Sequence, residues 1–470
     1  MSTDVPKQSI KNVMQSLLLD RKLGLISPLK FSSLITENYY SSLIHQTAKY
    51  NVFPSNCHHI ASVNSLSLET NDFRFLLSGS GDSTIKLWDL SENEVIREEN
   101  EIDKNLNQVQ NPNKFDNFDY DNPVSVYANI ATIPRREFHK FGISALQWWP
   151  FDTGMFVSSS FDHTVKIWDT NELSPVHTFD LNNRVYSIDI CGNNSLIATA
   201  SDQPFIRILD MKSTSSAHTL TGHKGKTLSV KWHPTNSNLL VSGGYDGEVR
   251  IWDIRRSKSL LCRLDMLRTN TSQSNSEGVH ENLTQNSVKA HSGPVNGLVW
   301  DESGTILYTS GNDDKVRVWD MASTSYPPVN KLINFGPLTR NKYPQTIPIL
   351  LNPKGETSVQ YLLFPSESGE ILIFRTIDGK LVNRLSRRGT KNVGRTTSMC
   401  NGGPFTAKYF AGTNDGEIIQ WSPFWEHPDL EDLRIESRNE NDSEDIDELL
   451  LKKHTLALKA QELMKDAANF

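Results

Sequence analysis

Two hydrophobic rhythms divide the chain. Near the N-terminus, Ile10, Val13, Met14, Leu17 and Leu18 fall at i, i+3, i+4, i+7 and i+8, an apolar stripe on one helix face. Gly24 supplies a stop, and Ser27-Pro28 reads as the N-cap and first residue of a second helix. Phe31, Leu34, Ile35, Tyr39 and Leu43 give that helix a stripe of its own. The pattern predicts a helix–loop–helix over residues 1–50, which packs on a neighbouring domain or docks a partner. From about residue 57 the helical period gives way to short apolar stretches. The fullest lies in 141–170 and ends Ser-x-x-x-Asp-x-x-Val-x-Ile-Trp-Asp.

That ending recurs with variations. Ser78, Asp82 and Trp88-Asp89 form one copy, and Ser158, Asp162 and Trp168-Asp169 a second. Ser242, Asp246 and Trp252-Asp253 form another, as do Thr309, Asp313 and Trp319-Asp320. Each keeps Asp six residues before Trp. A histidine (His59, His139, His223 or His291) precedes each Asp by 22 or 23 residues. A period of this kind predicts an all-β, seven-bladed β-propeller of WD repeats over residues 55–425, one four-stranded blade per copy. Degenerate copies complete the count, with Leu209 in the Trp slot of blade three, Phe374 in blade six and Trp421 in blade seven. The ring closes either by the chain ends sharing a blade or by the seventh blade completing itself.

Read singly, each His and Asp looks like a catalytic pair. Their periodic repetition assigns them to structure instead: in WD repeats the His, the hydroxyl, the Asp and the Trp are linked by hydrogen bonds that fix strand register. No phosphate-binding loop, metal-ligand spacing or nucleophile elbow appears, so no cofactor is expected and the sequence points to a binding protein, not an enzyme. Four scattered cysteines, Cys57, Cys191, Cys262 and Cys400, signal neither a disulfide framework nor a zinc site. No apolar run reaches the roughly 18–20 residues that cross a bilayer, and no signal-peptide pattern opens the chain. The expectation is a cytosolic or nuclear protein without membrane contact.

Two intervals exceed one blade. Residues 91–136, rich in Asn, Asp and Glu, and residues 266–288, rich in Ser, Thr and Asn, read as flexible inserts. Residues 426–470 form an acidic tail with a ragged helical pattern. The net charge of −7 argues against wrapping by nucleic acid. One basic stretch (Lys380, Arg384, Arg387, Arg388, Lys391 and Arg395) has no interleaved aromatic residues and reads as a solvated loop. Trp252-Asp253-Ile254-Arg255 differs from the other Trp-Asp copies. Its Arg falls two residues beyond the Asp, where a guanidinium can make bidentate contacts with a partner.

Residues 147–173, Gln-Trp-Trp-Pro-Phe-Asp-Thr-Gly-Met-Phe and onward, closely resemble the second blade of the Cockayne syndrome group A family. Ala290–Leu298, Leu332–Gly336 and Ile418–Pro423 resemble it as well, and the likeness covers most of residues 10–425. The resemblance implies a substrate receptor of a cullin-four RING ubiquitin ligase acting in transcription-coupled nucleotide excision repair in the nucleus. It also implies docking to the ligase's triple-propeller adaptor through the helical pair, Val13, Met14, Leu17 and Leu18 among it, and through Trp252, Asp253 and Arg255. The implied targets are a Cockayne syndrome group B-like repair ATPase and the RNA polymerase II machinery. The Asn/Asp-rich insert and the acidic tail depart from the animal members and give the chain a fungal look. The competing expectation is a scaffold in a chromatin or transcription complex with no ligase attached.

Overall fold

The computed structural model describes residues 17–45, 49–54, 57–94, 126–269, 288–322, 328–343, 345–386 and 394–423. Seven four-stranded antiparallel sheets form the blades of a β-propeller. Blade one is β2 (Val63–Leu68), β3 (Phe75–Ser80), β4 (Ile85–Glu94) and β5 (Val126–Ile133). Blade two is β6 (Ile143–Trp148), β7 (Met155–Ser160), β8 (Thr164–Asp169) and β9 (Ser174–Asp180). Blade three is β10 (Val185–Cys191), β11 (Leu196–Ser201), β12 (Phe205–Asp210) and β13 (Ser215–Thr221). Blade four is β14 (Thr227–Trp232), β15 (Leu239–Gly244), β16 (Val249–Asp253) and β17 (Leu260–Arg263). Blade five is β18 (Val295–Trp300), β19 (Ile306–Gly311), β20 (Lys315–Asp320) and β21 (Val329–Asn330). Blade six is β22 (Leu350–Leu351), β23 (Tyr361–Pro365), β24 (Ile371–Arg375) and β25 (Leu381–Leu385). Blade seven is β26 (Thr396–Asn401), β27 (Tyr409–Thr413) and β28 (Ile418–Ser422), completed on its outer edge by β1 (Lys49–Val52).

The chain ends therefore share a blade. β1 pairs with β28 in antiparallel register, Tyr50 opposite Trp421, with the two rings 5.6 Å apart. Residues 49–52 thus belong to the propeller and not to the helical segment: their backbone pairs with the outer edge of β28 and supplies the fourth strand of an otherwise three-stranded sheet.

Second strands such as β7, β11, β15 and β19 are buried at every position after the first, because neighbouring blades cover both faces of each sheet. Outer strands are the reverse. β13 is exposed everywhere except Leu220. The innermost strands share an irregularity: in six blades the register shifts between the first and third residues, as between Ile143 and Ala145 or Val295 and Gly297. A bulge at that place sharpens the local twist where strands converge on the axis.

Two inserts are shorter than their composition suggests. Residues 91–94 extend β4 and 126–133 form β5, with Tyr127 and Ile133 buried against blade one. Within 266–288, the Arg268 carbonyl accepts the Asn330 amide at 2.9 Å and Thr269 bridges Asn330, so the insert starts out packed on blade five. The acidic tail and Arg387, Arg388 and Lys391 lie outside the described residues.

Residues 17–22 are helical and close in a glycine turn: Gly24, at φ +73°, donates to the Arg21 carbonyl and Leu25 to the Asp20 carbonyl. Ser27 then caps α1 (Pro28–His45), its Oγ accepting the Lys30 amide at 3.4 Å. α1 lies against blades six and seven. Tyr40 and Leu43 are buried there, and the Leu43 carbonyl accepts a hydrogen bond from Asn383.

Candidate partner-binding faces

The repeated polar residues meet inside the blades. In blade two His139 donates from Nδ1 to Asp162 (2.9 Å), and the Ser158 hydroxyl meets His139 Nε2 (2.7 Å) while accepting the Trp168 indole N–H (2.7 Å). Blade four repeats this with His223, Asp246, Ser242 and Trp252 at 3.1, 2.8 and 2.8 Å. Blade five does so with His291, Asp313, Thr309 and Trp319 at 2.8, 2.8 and 3.0 Å. Blade one departs from the expected set. His59 reaches Asp82 through Thr84, whose hydroxyl lies 2.7 Å from His59 Nδ1 and donates to Asp82 at 2.5 Å, while Ser78 joins His59 Nε2 to Trp88.

Three of the four Asp residues also build their own turns. Oδ1 of Asp82, Asp162 and Asp246 accepts the amide two residues on, at 2.8, 3.1 and 3.1 Å. The residue between is left-handed, as at Ser83, His163 and Gly247 (φ 72°, 75° and 78°).

A Ser–His–Asp chain has the connectivity of a hydrolase triad. Here it does no chemistry on a substrate: Ser158 and Ser242 are 0% exposed, and the hydroxyl already accepts an indole N–H. Burial alone would raise the Asp162 and Asp246 carboxyls, but bonds from the histidines and neighbouring amides outweigh it, holding Asp162 well below the usual range and Asp246 at about 2. Burial drives His59 down to about 4 despite the nearby Asp82. Among the described residues no three His, Cys, Asp or Glu side chains gather as metal ligands would.

The lower face of the ring carries the first-to-second and third-to-fourth strand turns, and two exposed features share it. Arg255 sits in the turn after β16 and grips Asp253 with Nε and a terminal nitrogen, at 3.1 and 3.0 Å. The side chain is nonetheless 62% exposed. Arg256 lies 3.6 Å from the same carboxylate and is also exposed. Hydrogen bonds from Arg255 hold the Asp253 carboxyl below its ordinary value. Trp252 is fully buried, so within this motif Arg255 is the group a partner can reach.

The second feature is the helical segment. Tyr40 donates to Glu356 Oε2 at 3.0 Å and is bonded to the Tyr409 hydroxyl, under blades six and seven. Glu356 lies in the turn before β23, and its Oε1 also accepts the Phe405 amide at 2.6 Å. Leu18, Leu19, Leu23, Leu25 and Leu29 are 49–74% exposed, an apolar edge beside the anchored helix. Leu17 is half-buried, and Val13 and Met14 lie outside the described residues.

The WD domain, G-beta repeat, matches residues 52–89, 132–169, 214–253 and 283–320, each copy ending on the Asp of a Trp-Asp pair. The chain is a WD-repeat protein. This WD-repeat chain is 26% identical over 390 residues to the WD repeat-containing protein ATCSA-1 of Arabidopsis thaliana, covering 70% of this chain and 80% of that protein. It is 29% identical over 265 residues to Radiation-sensitive protein 28 of Saccharomyces cerevisiae, spanning about half of each (53% and 51%). The Ribosome biogenesis protein WDR12 homolog of Culex quinquefasciatus is 36% identical over 129 residues, or 27% of this chain and 30% of that protein.

Proposed function

We propose that this WD-repeat protein is a non-catalytic receptor in nuclear DNA repair, bridging the adaptor of a cullin-four RING ubiquitin ligase to the machinery of transcription-coupled nucleotide excision repair. The observation that carries the reading is geometric. Five exposed leucines lead into the helix that Tyr40 anchors on the lower face of the propeller, and the exposed guanidinium of Arg255 lies on that same face, leaving the upper face open to a target. Leucines flanking a fixed helix offer the apolar core of an interface, and Arg255, pre-aimed by Asp253, offers a charged contact at its edge. The likeness to ATCSA-1 and to Radiation-sensitive protein 28 supports the repair link. The targets would be a Cockayne syndrome group B-like ATPase and RNA polymerase II.

One observation favours a scaffold of chromatin or transcription complexes with no ligase attached: α1 itself buries Tyr40 and Leu43 against its own propeller. Capture of the triple-propeller adaptor from native extract separates the two. Wild-type chain is expected to retain the adaptor, and both Arg255→Ala and the pair Leu25→Glu with Leu29→Glu to lose it with unchanged melting. Wild-type chain that never retains the adaptor sinks the receptor reading in favour of the scaffold.

A further inference from the structure

On the upper face the central channel opens into a cavity of about 360 Å³ lined by residues from both sides of the ring. Four of them are cationic: Arg184 at the start of blade three, Lys226 before blade four, Arg340 before blade six and Arg395 before blade seven. Arg184 and Arg340 are exposed. Lys226 Nζ is 5.5 Å from the Tyr186 ring and 5.2 Å from the Tyr245 ring, and the Arg395 guanidinium is 4.1 Å from the Tyr343 ring. Ring faces position a cation without neutralising it. Among the described residues no carboxylate forms an ion pair with any of the four. Two acids stand near the rim, Glu367, which accepts the Lys342 amide at 2.6 Å, and Asp202, which accepts the Tyr186 hydroxyl; the four cations outnumber them.

From this charge and shape we infer that the channel mouth binds an acidic linear segment of a partner protein, two or more carboxylates meeting the cations while an apolar side chain enters the cavity. Electrostatic complementarity of this kind selects the partner and speeds its approach. A nucleic-acid strand fits less well. It needs a continuous basic track, whereas these four cations ring a pit on a chain of net charge −7. The inference deepens the receptor reading by giving the target's chemistry.

The test is fluorescence anisotropy with the full-length chain at physiological salt. The probes are a short peptide carrying glutamates around one leucine, the same peptide with glutamines, and a single-stranded oligothymidine. The acidic peptide is expected to bind and to weaken about tenfold or more with Arg184→Glu plus Arg340→Glu, both exposed and leaving the melting unchanged. Three results overturn the inference: glutamine peptide binding as well as the acidic one, oligothymidine binding more tightly and losing affinity in the same variant, or a crosslink tying residues 426–448 of the free chain to the mouth. Arg255→Ala serves as control. Failure of adaptor capture with peptide binding intact counts against the ligase and not against the channel mouth.

Discussion

Blades two and six solve one packing problem in opposite ways. Both place a large aromatic residue on the third strand, Trp168 or Phe374, each essentially buried. In blade two the position ten residues earlier is Ser158, and the indole, hydroxyl, histidine and aspartate form a closed polar chain. In blade six that position is Phe364, and Phe335 meets Phe374 edge-on at 5.6 Å. The whole set changes together because half a polar chain is worse than none: each member left in a dry blade without its partner costs about 1–3 kcal/mol. Blade seven lies between the two. Trp421 is kept, Ala411 stands ten residues before it, and the indole N–H has no acceptor.

The largest test of this comparison is truncation of the central ring. Trp168→Ala is expected to lower unfolding free energy in denaturant by about 3–5 kcal/mol, through a cavity plus the lost indole bond to Ser158, whose hydroxyl keeps only His139. Phe374→Ala leaves a cavity and breaks no hydrogen bond, so it should cost less per atom removed. Equal costs would mean that the polar chain adds only volume.

Acid is the next lever. The depressed His59 contributes stability that is complete above the unfolded histidine pKa of 6.5 and is lost as pH falls towards about 4. Asp246 contributes above 3.8 and is lost towards about 2. Together they imply a loss of roughly 2–4 kcal/mol between pH 7 and pH 3. Glu356 has the opposite sign, since burial raises its carboxyl. Its contribution is complete below 4.5 and fades as pH rises through the raised value. Hydrogen exchange at pH 3 should therefore show blades one and four loosening while the contact of α1 with Glu356 holds. Uniform loosening would break the comparison.

This contrast also explains what was legible. Trp88, Trp168, Trp252 and Trp319 carry a long fixed signature because four groups must meet in one geometry, and the ring of seven follows from it. Outer strands were not legible: β5 lies inside an Asn/Asp-rich stretch and β13 is almost wholly exposed, so burial imposes little pattern on them. Arg255 stood out as an exception to the repeat. Tyr40 did not, because what singles it out is contact with Glu356 and Tyr409, over 300 residues away in sequence. The channel mouth was hidden for the same reason: Arg184, Lys226, Arg340 and Arg395 converge only when the ring closes.

Ser158→Ala tests the polar chain without a large cavity. It removes the one atom that serves both the indole and the imidazole and should cost about 1–3 kcal/mol in the same denaturant assay. If the loss stays within a few tenths of a kcal/mol, the chain is ornamental to stability and its repetition needs another cause.

The smallest effect is the reverse change, in blade seven. Ala411 pairs with Ile419 across the second and third strands, as Ser158 pairs with Lys166, so a serine there points at the Trp421 indole as its counterparts do. Its oxygen can accept the orphaned N–H, while its own hydrogen can turn to a strand carbonyl, as Thr199 does towards Arg207 at 3.1 Å. Ala411→Ser is expected to raise unfolding free energy by about 1 kcal/mol and to red-shift the Trp421 contribution to near-ultraviolet absorption. The same substitution with Trp421→Phe should lose the gain, because the hydroxyl then has no indole to accept from. A serine that destabilises equally in both backgrounds would show that the blade tolerates the unpaired indole better than a new buried hydroxyl, and that the polar chain must arise complete.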